Sequence, residues 1–279
     1  MLRSFSVFFV LWTLAAGCTN GPGGTLSPSI YPTVAKNSAP EPPVIVYVGS
    51  STVANFLRLA EPIYGRVRFQ VDTTPESLGG ERVFQDGHAD LAGMACEPSA
   101  ETLDRGIQAL EIGTDALLVV VHPANAVTRL TTTQLHAVFT GDVKNWQELG
   151  GPNLEVRPYI TAPDSATYRI FKERILGKDT YGDCEVVRPD SHMTMTVESD
   201  PGSIGVVSYS FVCLGGSVRV LQVDGQAALP DNERYPLLRP LYFLWRPGNP
   251  AVEDFLAWLK TSAAQDALEK CFGKPRKKA

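Results

Sequence analysis

Histidine and cysteine are scarce in this chain, which has four of the first and five of the second among 279 residues. The histidines share no ligand spacing, and no two cysteines have the close spacing of a zinc site. The G-x-S-x-G nucleophile elbow is also missing. We therefore expect no metal, no cofactor and no enzymatic activity.

Basic runs are missing as well, apart from the last residues, Lys274, Arg276, Lys277 and Lys278. Together with a formal net charge of −5, this argues against a nucleic-acid surface. We interpret the basic tail as a solvated chain end. A globular composition over 279 residues is enough for one or two hydrophobic cores.

The N-terminus has the pattern of an export signal. Arg3 precedes an apolar run from Phe5 to Leu14, which is too short for an ordinary membrane-spanning helix. The following LAAGC, ending at Cys18, resembles a bacterial lipobox. We predict a signal peptide over residues 1–17 and a lipidated Cys18. The alternative is a plain secretory signal cleaved near Gly17, and either reading places the protein in the periplasm or cell envelope.

Residues 18–43 are rich in Pro, Gly, Ser and Thr and have no hydrophobic periodicity. This composition predicts a flexible tether between the anchor and a folded part.

Buried strands that lead directly into helices recur after the tether, and the clearest case is the stretch from Gly113 to Leu149. The apolar run Ala116 to Val121 predicts a strand buried on both faces. Thr131 and Gln134 have the spacing of a capping box, and Gly141 ends the helix that they begin. This alternation is typical of an α/β fold.

Three such junctions place small hydroxyl residues where a helix begins. They are Ser51 with Thr52, Ser77 with Gly79 and Gly80, and Ser165 with Thr167. The free backbone N–H groups at a helix start favour an anion, and glycines allow close backbone approach. At any one junction the hydroxyl could simply cap its own helix. Three junctions together predict a site for a small oxyanion.

Near the C-terminus, Asn249 and Pro250 open a helix that we predict to run through Leu268.

Several segments in order resemble the phosphate-binding proteins that serve ABC transporters. They are GSSTV from Gly49, SLGGERVFQDGHADLAGM from Ser77, DALLVVVHPANAVTRLT from Asp115, FTGDVKNW from Phe139, PGSIGVVSY from Pro201 and YPLLRPLYF from Tyr235. The resemblance implies an α/β, two-lobe periplasmic-binding-protein-like fold of type II. Each lobe would be a sheet flanked by helices, and two crossover strands would join them. We expect lobe I over residues 44–121 and 215–279, and lobe II over residues 122–214.

The resemblance also implies ligand-binding roles. Serine or threonine at the matching junctions, with neighbouring backbone amides, binds phosphate oxygens in that family. The ligand-binding set in this chain would be Ser51, Thr52, Ser77, Gly79, Gly80, Ser165, Ala166 and Thr167.

The chain departs from the family pattern at three points. Ala166 stands where the family has glycine, Thr161 where it has the phosphate-binding arginine, and Ala95 with Cys96 where an acidic or arginine-bearing turn is usual. Loss of a charge-assisted hydrogen bond of about 1.5 to 3 kcal/mol should weaken binding roughly tenfold to more than a hundredfold. The replacement could come from Arg82, Arg157 or Arg169.

We predict an exported, lipid-anchored, monomeric solute-binding protein that delivers phosphate or a related oxyanion to an ABC transporter permease. The alternative is a scaffold of the same fold with a degenerate anion site, acting as a cell-envelope interaction or sensor protein.

Four cysteines besides Cys18 suggest two disulfides in an oxidising compartment. Three connectivities are possible, and we favour Cys184 with Cys213 and Cys96 with Cys271 because each pair then stays within one lobe.

Overall fold

The computed structural model describes residues 41–213 and 215–275. The chain from Pro42 onward forms one compact unit. The predicted signal peptide, Cys18 and most of the predicted tether lie outside the described residues. Within the described part, every helix is too short or too polar to cross a bilayer.

The folded part alternates strands and helices as the sequence pattern predicts. The strands are β1 Val44–Gly49, β2 Arg68–Asp72, β3 Leu91–Met94, β4 Gln108–Val121, β5 Arg129–Leu130, β6 Arg157–Thr161, β7 Glu185–Val187, β8 Ser203–Ser208, β9 Arg219–Val220, β10 Gln222–Val223 and β11 Leu238–Trp245. The α-helices are α1 Ser51–Tyr64, α2 Glu76–Gln85, α3 Ala100–Asp104, α4 Thr132–Thr140, α5 Ala166–Phe171, α6 Met193–Ser199, α7 Tyr209–Cys213, α8 Pro250–Trp258 and α9 Ser262–Cys271. Short 3₁₀ turns cover Trp146–Leu149 and Asp190–His192, and a π-helical turn, Lys172–Leu176, extends α5.

One curled sheet connects both halves of the molecule, in the order β2-β1-β3-β11-β4-β8-β6-β7. We call β2, β1, β3 and β11 the first half-sheet, and β8, β6 and β7 the second half-sheet. The 14-residue strand β4 joins them, because its earlier part pairs with β11 and its later part pairs with β8. Within each half-sheet, β1, β2 and β3 run parallel, as do β8, β6 and β7. This confirms the predicted mixed α/β fold.

Local sequence signals account for the helix boundaries near the predicted junctions. Ser50 caps α1 through Val53 N–H, and Ser165 caps α5 through Thr167 N–H. The capping box of Thr131 and Gln134 is formed at α4, and Gly141 ends that helix with a positive φ. Each cap satisfies a backbone donor that the helix itself leaves free.

The predicted single C-terminal helix is wrong. It is two helices, α8 and α9, with a break after Trp258. The Thr261 hydroxyl accepts a hydrogen bond from Ala264 N–H and so starts a new helix, where the apolar spacing alone indicated continuity.

The favoured disulfide pairings are also wrong, because Cys96, Cys184, Cys213 and Cys271 are all unpaired. The physical reason lies in α7. The Cys213 thiol, at the end of α7, lies against the Lys270 carbonyl of α9. Cys184 instead contacts the Phe139 carbonyl of α4. The two members of our first pair therefore lie against different helices.

The predicted division of the chain into lobes I and II stays a prediction. α7 follows β8 of the second half-sheet and packs against α1 and α9, which flank the first.

Candidate functional site

A buried ion pair marks the point where β4 changes partners. Arg239 of β11 lies opposite Asp115 of β4 in the antiparallel register, Ala116 is the last β4 residue paired with β11, and from Leu117 onward β4 pairs with β8. Arg239 Nε donates to Asp115 Oδ2 at 2.8 Å. The side chains are only 1% and 0% exposed. Helices α1 and α5 follow β1 and β6, and ligands of α/β proteins commonly bind at the carboxyl ends of such strands.

The rest of the Arg239 guanidinium links the two halves of the molecule. Nη2 donates to the Thr52 hydroxyl at the start of α1, and Nη1 donates to the Thr167 hydroxyl at the start of α5, each at 3.0 Å. α1 follows β1 in the first half-sheet, and α5 follows β6 in the second. One planar cation therefore holds together two of the sequence-predicted hydroxyls.

Asp115 is held by a polar network around that cation. Its Oδ1 accepts from the Ser208 hydroxyl at 2.9 Å and from Tyr209 N–H at 3.2 Å. Ser208 contacts Ser210, which accepts from the Asn55 amide of α1 at 3.1 Å. Burial raises the pKa of Asp115, while Arg239 and these donors act in the opposite direction. The network fixes the position of the Arg239 guanidinium.

A carboxyl from α2 reaches the start of α1. Glu76 Oε2 accepts from the Ser51 backbone N–H at 3.2 Å and from the Ser51 hydroxyl at 3.0 Å. Burial raises the pKa of Glu76 to about 8, and the charge of Asp190 adds to the rise. At neutral pH most of this carboxyl carries its proton.

A second carboxyl stands at the start of α5. Asp190 Oδ2 accepts a short hydrogen bond from the Ser165 hydroxyl. Burial raises the pKa of Asp190 to about 6, against the hydrogen bond from Ser165 and the charge of Arg239. Two of the predicted hydroxyls, Ser51 and Ser165, therefore each face a carboxyl that the sequence reading missed.

The remaining predicted site residues lie around α2 and α5. The Ser77 hydroxyl accepts from Ala95 N–H at 3.1 Å, and Ala166 is the buried first residue of α5. Leu78 N–H donates to the Asp164 carbonyl at 3.1 Å, so α2 directly contacts the loop before α5.

The two glycines of α2 have a packing role. A Cβ added to Gly80 would come within 2.3 Å of the Gly49 Cα on β1, and one added to Gly79 within 2.9 Å of the Pro75 Cβ. The lack of a side chain on Gly80 lets α2 lie close to β1, and the lack of one on Gly79 leaves room for Pro75 just before α2. A ligand-binding role for them stays a prediction.

Taken together, this buried site holds the Arg239 guanidinium, a set of hydroxyl donors and two helix starts, with carboxyls opposing them. The donors suit oxygen atoms that carry negative charge, because helix N-termini, hydroxyls and a guanidinium all stabilise oxyanions. Among the described residues, no cluster of three or more histidine, cysteine or acidic side chains could hold a metal ion.

The sequence also matches the model of a known protein family. A model described as "PBP superfamily domain" matches residues 35–262. The chain belongs to this superfamily.

Curated relatives within the PBP superfamily include phosphate-binding proteins. Protein SphX of Synechococcus elongatus is 33% identical over 187 residues, which cover 59% of this chain and 56% of SphX. The phosphate-binding protein PstS of Pseudomonas aeruginosa is 27% identical over 274 residues, with 80% of each chain covered.

Solved structures show the same fold. A candidate phosphate ABC transporter substrate-binding protein from Clostridium perfringens, solved with bound phosphate, superposes with a TM-score of 0.77 at 21% identity, over 84% of this chain and all of that one. An ABC-type phosphate transport receptor from Vibrio cholerae gives 0.65 at 23% identity, over 83% of this chain and all of that one.

The arginine of the site is one that sequence reasoning missed. Of the three candidates, Arg82 is exposed, Arg157 pairs with Asp200 at 3.2 Å, and Arg169 lies 3.8 Å from Glu173. Arg239 was present in the quoted YPLLRPLYF segment, and a charge inside an apolar strand was the signal that could have found it.

The described positions at which the chain lacks the charged residues of the family pattern are occupied by buried uncharged residues. Thr161 is buried, and its hydroxyl has no hydrogen-bond partner. Ala95 and Cys96 are buried as well. The guanidinium of the site therefore comes from β11, whereas Thr161 is on β6.

Proposed function

We propose that this protein is an exported solute-binding protein that binds inorganic phosphate or a similar small oxyanion for an ABC transporter. The observation that carries the proposal is the convergence of Thr52 and Thr167, from opposite halves of the molecule, on the Arg239 guanidinium. The phosphate-binding relatives and neighbours of the same superfamily support it.

The mechanism follows from where the donors originate. Hydroxyls and N–H groups at the start of α1 belong to one half of the sheet, and those at the start of α5 belong to the other. An oxyanion that bonds to both halves stabilises the closed arrangement relative to an open one, because only the closed one offers all donors. A permease would recognise that closed arrangement.

Calorimetric titration of the purified protein with phosphate, sulfate and related anions tests the proposal. We expect one phosphate per chain with a saturable heat. Absence of any heat, together with an unchanged melting temperature at millimolar phosphate, would refute it, since a ligand that binds the native state raises the melting temperature.

A second candidate is a scaffold or sensor with a degenerate anion site. Its specific support is that Ser51 and Ser165 already have carboxyl partners, Glu76 and Asp190, within the chain. A scaffold of this kind would show no response to any oxyanion in the same titration.

We also propose that Cys18 carries the lipid anchor, that residues 18–43 form the tether, and that the protein acts as a monomer. The LAAGC motif supports the anchor. A tethered binding domain remains near its transporter while it samples solute.

A further inference from the structure

Glu76 connects the start of α2 to the start of α1. Its Oε2 takes both the backbone N–H and the hydroxyl of Ser51. These are donors that an oxyanion would need in the proposed function, because the N–H groups of a helix's first turn have no partner within the helix. The chain thus presents its own acidic group where an anionic guest is expected.

The contact is buried and incompletely satisfied. Glu76 is 5% exposed. Its second oxygen, Oε1, has no hydrogen-bond partner among the described residues. An unpaired polar atom in a buried position costs free energy. The hydrogen bonds of Glu76 therefore satisfy only one of its two carboxyl oxygens.

The charges around Glu76 disfavour a second anion beside it. The negative charge of Asp190, from the 3₁₀ turn before α6, raises the pKa of Glu76, and the positive charge of Arg239 of β11 lowers it. The Tyr47 phenol of β1 is neutral, because burial and the Glu76 charge raise its pKa well above the ordinary value. Burial and Asp190 raise the pKa of Glu76 to about 8. An ionised Glu76 and a bound oxyanion would therefore repel each other within one desolvated space.

We propose that Glu76 is an affinity-determining residue of the oxyanion site, whose carboxyl occupies the Ser51 donors and must be displaced by an incoming oxyanion. The proposal rests on the proposed function and adds the Glu76 carboxyl as an internal competitor of the oxyanion for the Ser51 donors. It predicts that the wild-type protein binds oxyanions less tightly than a variant that lacks the Glu76 carboxyl.

Two variants separate the charge of Glu76 from its bulk. Glu76→Gln removes the charge and keeps the shape. Glu76→Gly removes the whole side chain and suits the backbone, because Glu76 has a φ of 50°, in the left-handed region that favours glycine. The matched control is Glu81→Gln, a buried carboxyl on the same helix whose partners are Ser99 and Thr102, away from the start of α1.

The experiment is calorimetric titration of full-length wild type and the three variants with inorganic phosphate at pH 6, 7.5 and 9, with circular dichroism to verify folding. We expect Glu76→Gly to bind phosphate about tenfold or more tightly than wild type at pH 9, the equivalent of one hydrogen bond to a charged group. Glu76→Gln should show part of the gain, and Glu81→Gln none.

The ratio of the Glu76→Gly affinity to the wild-type affinity should shrink at pH 6, where Glu76 is neutral and competes less. Phosphate ionises to the same extent in both titrations at a given pH, so the effect of its ionisation on affinity cancels in this ratio.

The outcomes are distinguishable. If wild type binds phosphate and Glu76→Gly binds equally or less tightly, the inference fails and the proposed function stands. If Glu81→Gln shows the same gain, the effect does not belong to the Ser51 donors and the inference fails too. If the folded wild type and both Glu76 variants all fail to bind phosphate, the proposed function fails, and with it the inference.

Discussion

Arg239 makes three side-chain hydrogen bonds from the interior of the sheet, to Asp115, Thr52 and Thr167. Its five N–H donors lie in a rigid plane, so a single side chain can hold an acid and two hydroxyls in fixed relation. Lysine could not reproduce this geometry. The geometry of the site therefore depends on this one residue more than on any single hydroxyl.

Arg239→Ala should lower the free energy of unfolding by about 3 to 5 kcal/mol, because it leaves Asp115 as an uncompensated buried charge. Urea denaturation measures this. The control is Arg219→Ala, since Arg219 is exposed and its side chain donates to the Pro123 carbonyl. A loss for Arg239→Ala no larger than for the control would show that the ion pair does not stabilise the fold.

Glu76 and Asp190 predict how stability changes with pH. The pKa of Glu76 rises from 4.5 to about 8 on folding, so the folded state holds a proton that the unfolded state releases between these values. Stability should therefore fall as pH rises through that window, by up to about 1.4 kcal/mol per pH unit. Asp190 adds a similar slope between 3.8 and about 6.

Urea denaturation at pH 5, 6.5 and 8 tests this, with Glu76→Gln as the variant. Above pH 6 the variant should lose most of the decrease in stability with rising pH. Of the two carboxyls Glu76 and Asp190, only Glu76 titrates there. A wild-type stability that is flat or rises over the range would contradict the assignment.

Helix α2 depends on its glycines for the position of Glu76 and Ser77. Gly80→Ala would place a methyl group 2.3 Å from the Gly49 Cα, which is backbone and cannot rotate away. We expect a loss of about 1 to 3 kcal/mol from overpacking, with weaker phosphate binding as α2 moves. The matched control is Gly216→Ala, where the nearest atom is an ordinary 3.5 Å away.

Thermal denaturation and phosphate titration of both glycine variants provide the measurement. If Gly80→Ala is as stable as Gly216→Ala and binds phosphate like wild type, the close contact between α2 and β1 does not position the site.

Most strands and helices could be predicted from local signals. The caps at Ser165 and Thr131 and the apolar run of β4 act between near neighbours in sequence, so the pattern alone reports them. Where a local cap competed with periodicity, as at Thr261, the apolar spacing gave one helix and the structure has two.

The site was only half predictable for a related reason. Thr52 and Thr167 follow from the rule that helices begin at the carboxyl ends of strands. Arg239 and Asp115 are 124 residues apart, and only the antiparallel register of β11 with β4 brings them together. Glu76 is the first residue of α2 and Asp190 begins a short 3₁₀ turn, positions where a carboxyl is ordinarily solvated, so nothing in the sequence indicated that they are buried.

At the scale of the whole molecule, the folded part is preceded in sequence by the N-terminal segment proposed as an anchor. Cys18→Ser should move the protein from the membrane fraction to the soluble envelope fraction and remove the mass of the acyl chains. Cell fractionation and intact-mass spectrometry measure both. Cys213→Ser, which changes an exposed cysteine of α7, is the control and should leave the protein on the membrane.

A Cys18→Ser protein that still fractionates with membranes and keeps its mass would refute the lipid anchor. The oxyanion site would be unaffected by that result.

The most direct test of the account is phosphate titration calorimetry of wild type, Thr52→Val and Thr167→Val. Valine keeps the volume and removes the hydroxyl, and Thr196→Val, a hydroxyl of α6 that donates to the His192 carbonyl, is the control. We predict one phosphate per wild-type chain and an affinity about tenfold or more weaker in each of the Thr52 and Thr167 variants. Wild-type affinity in both of these variants would contradict the convergence of the two halves on one oxyanion.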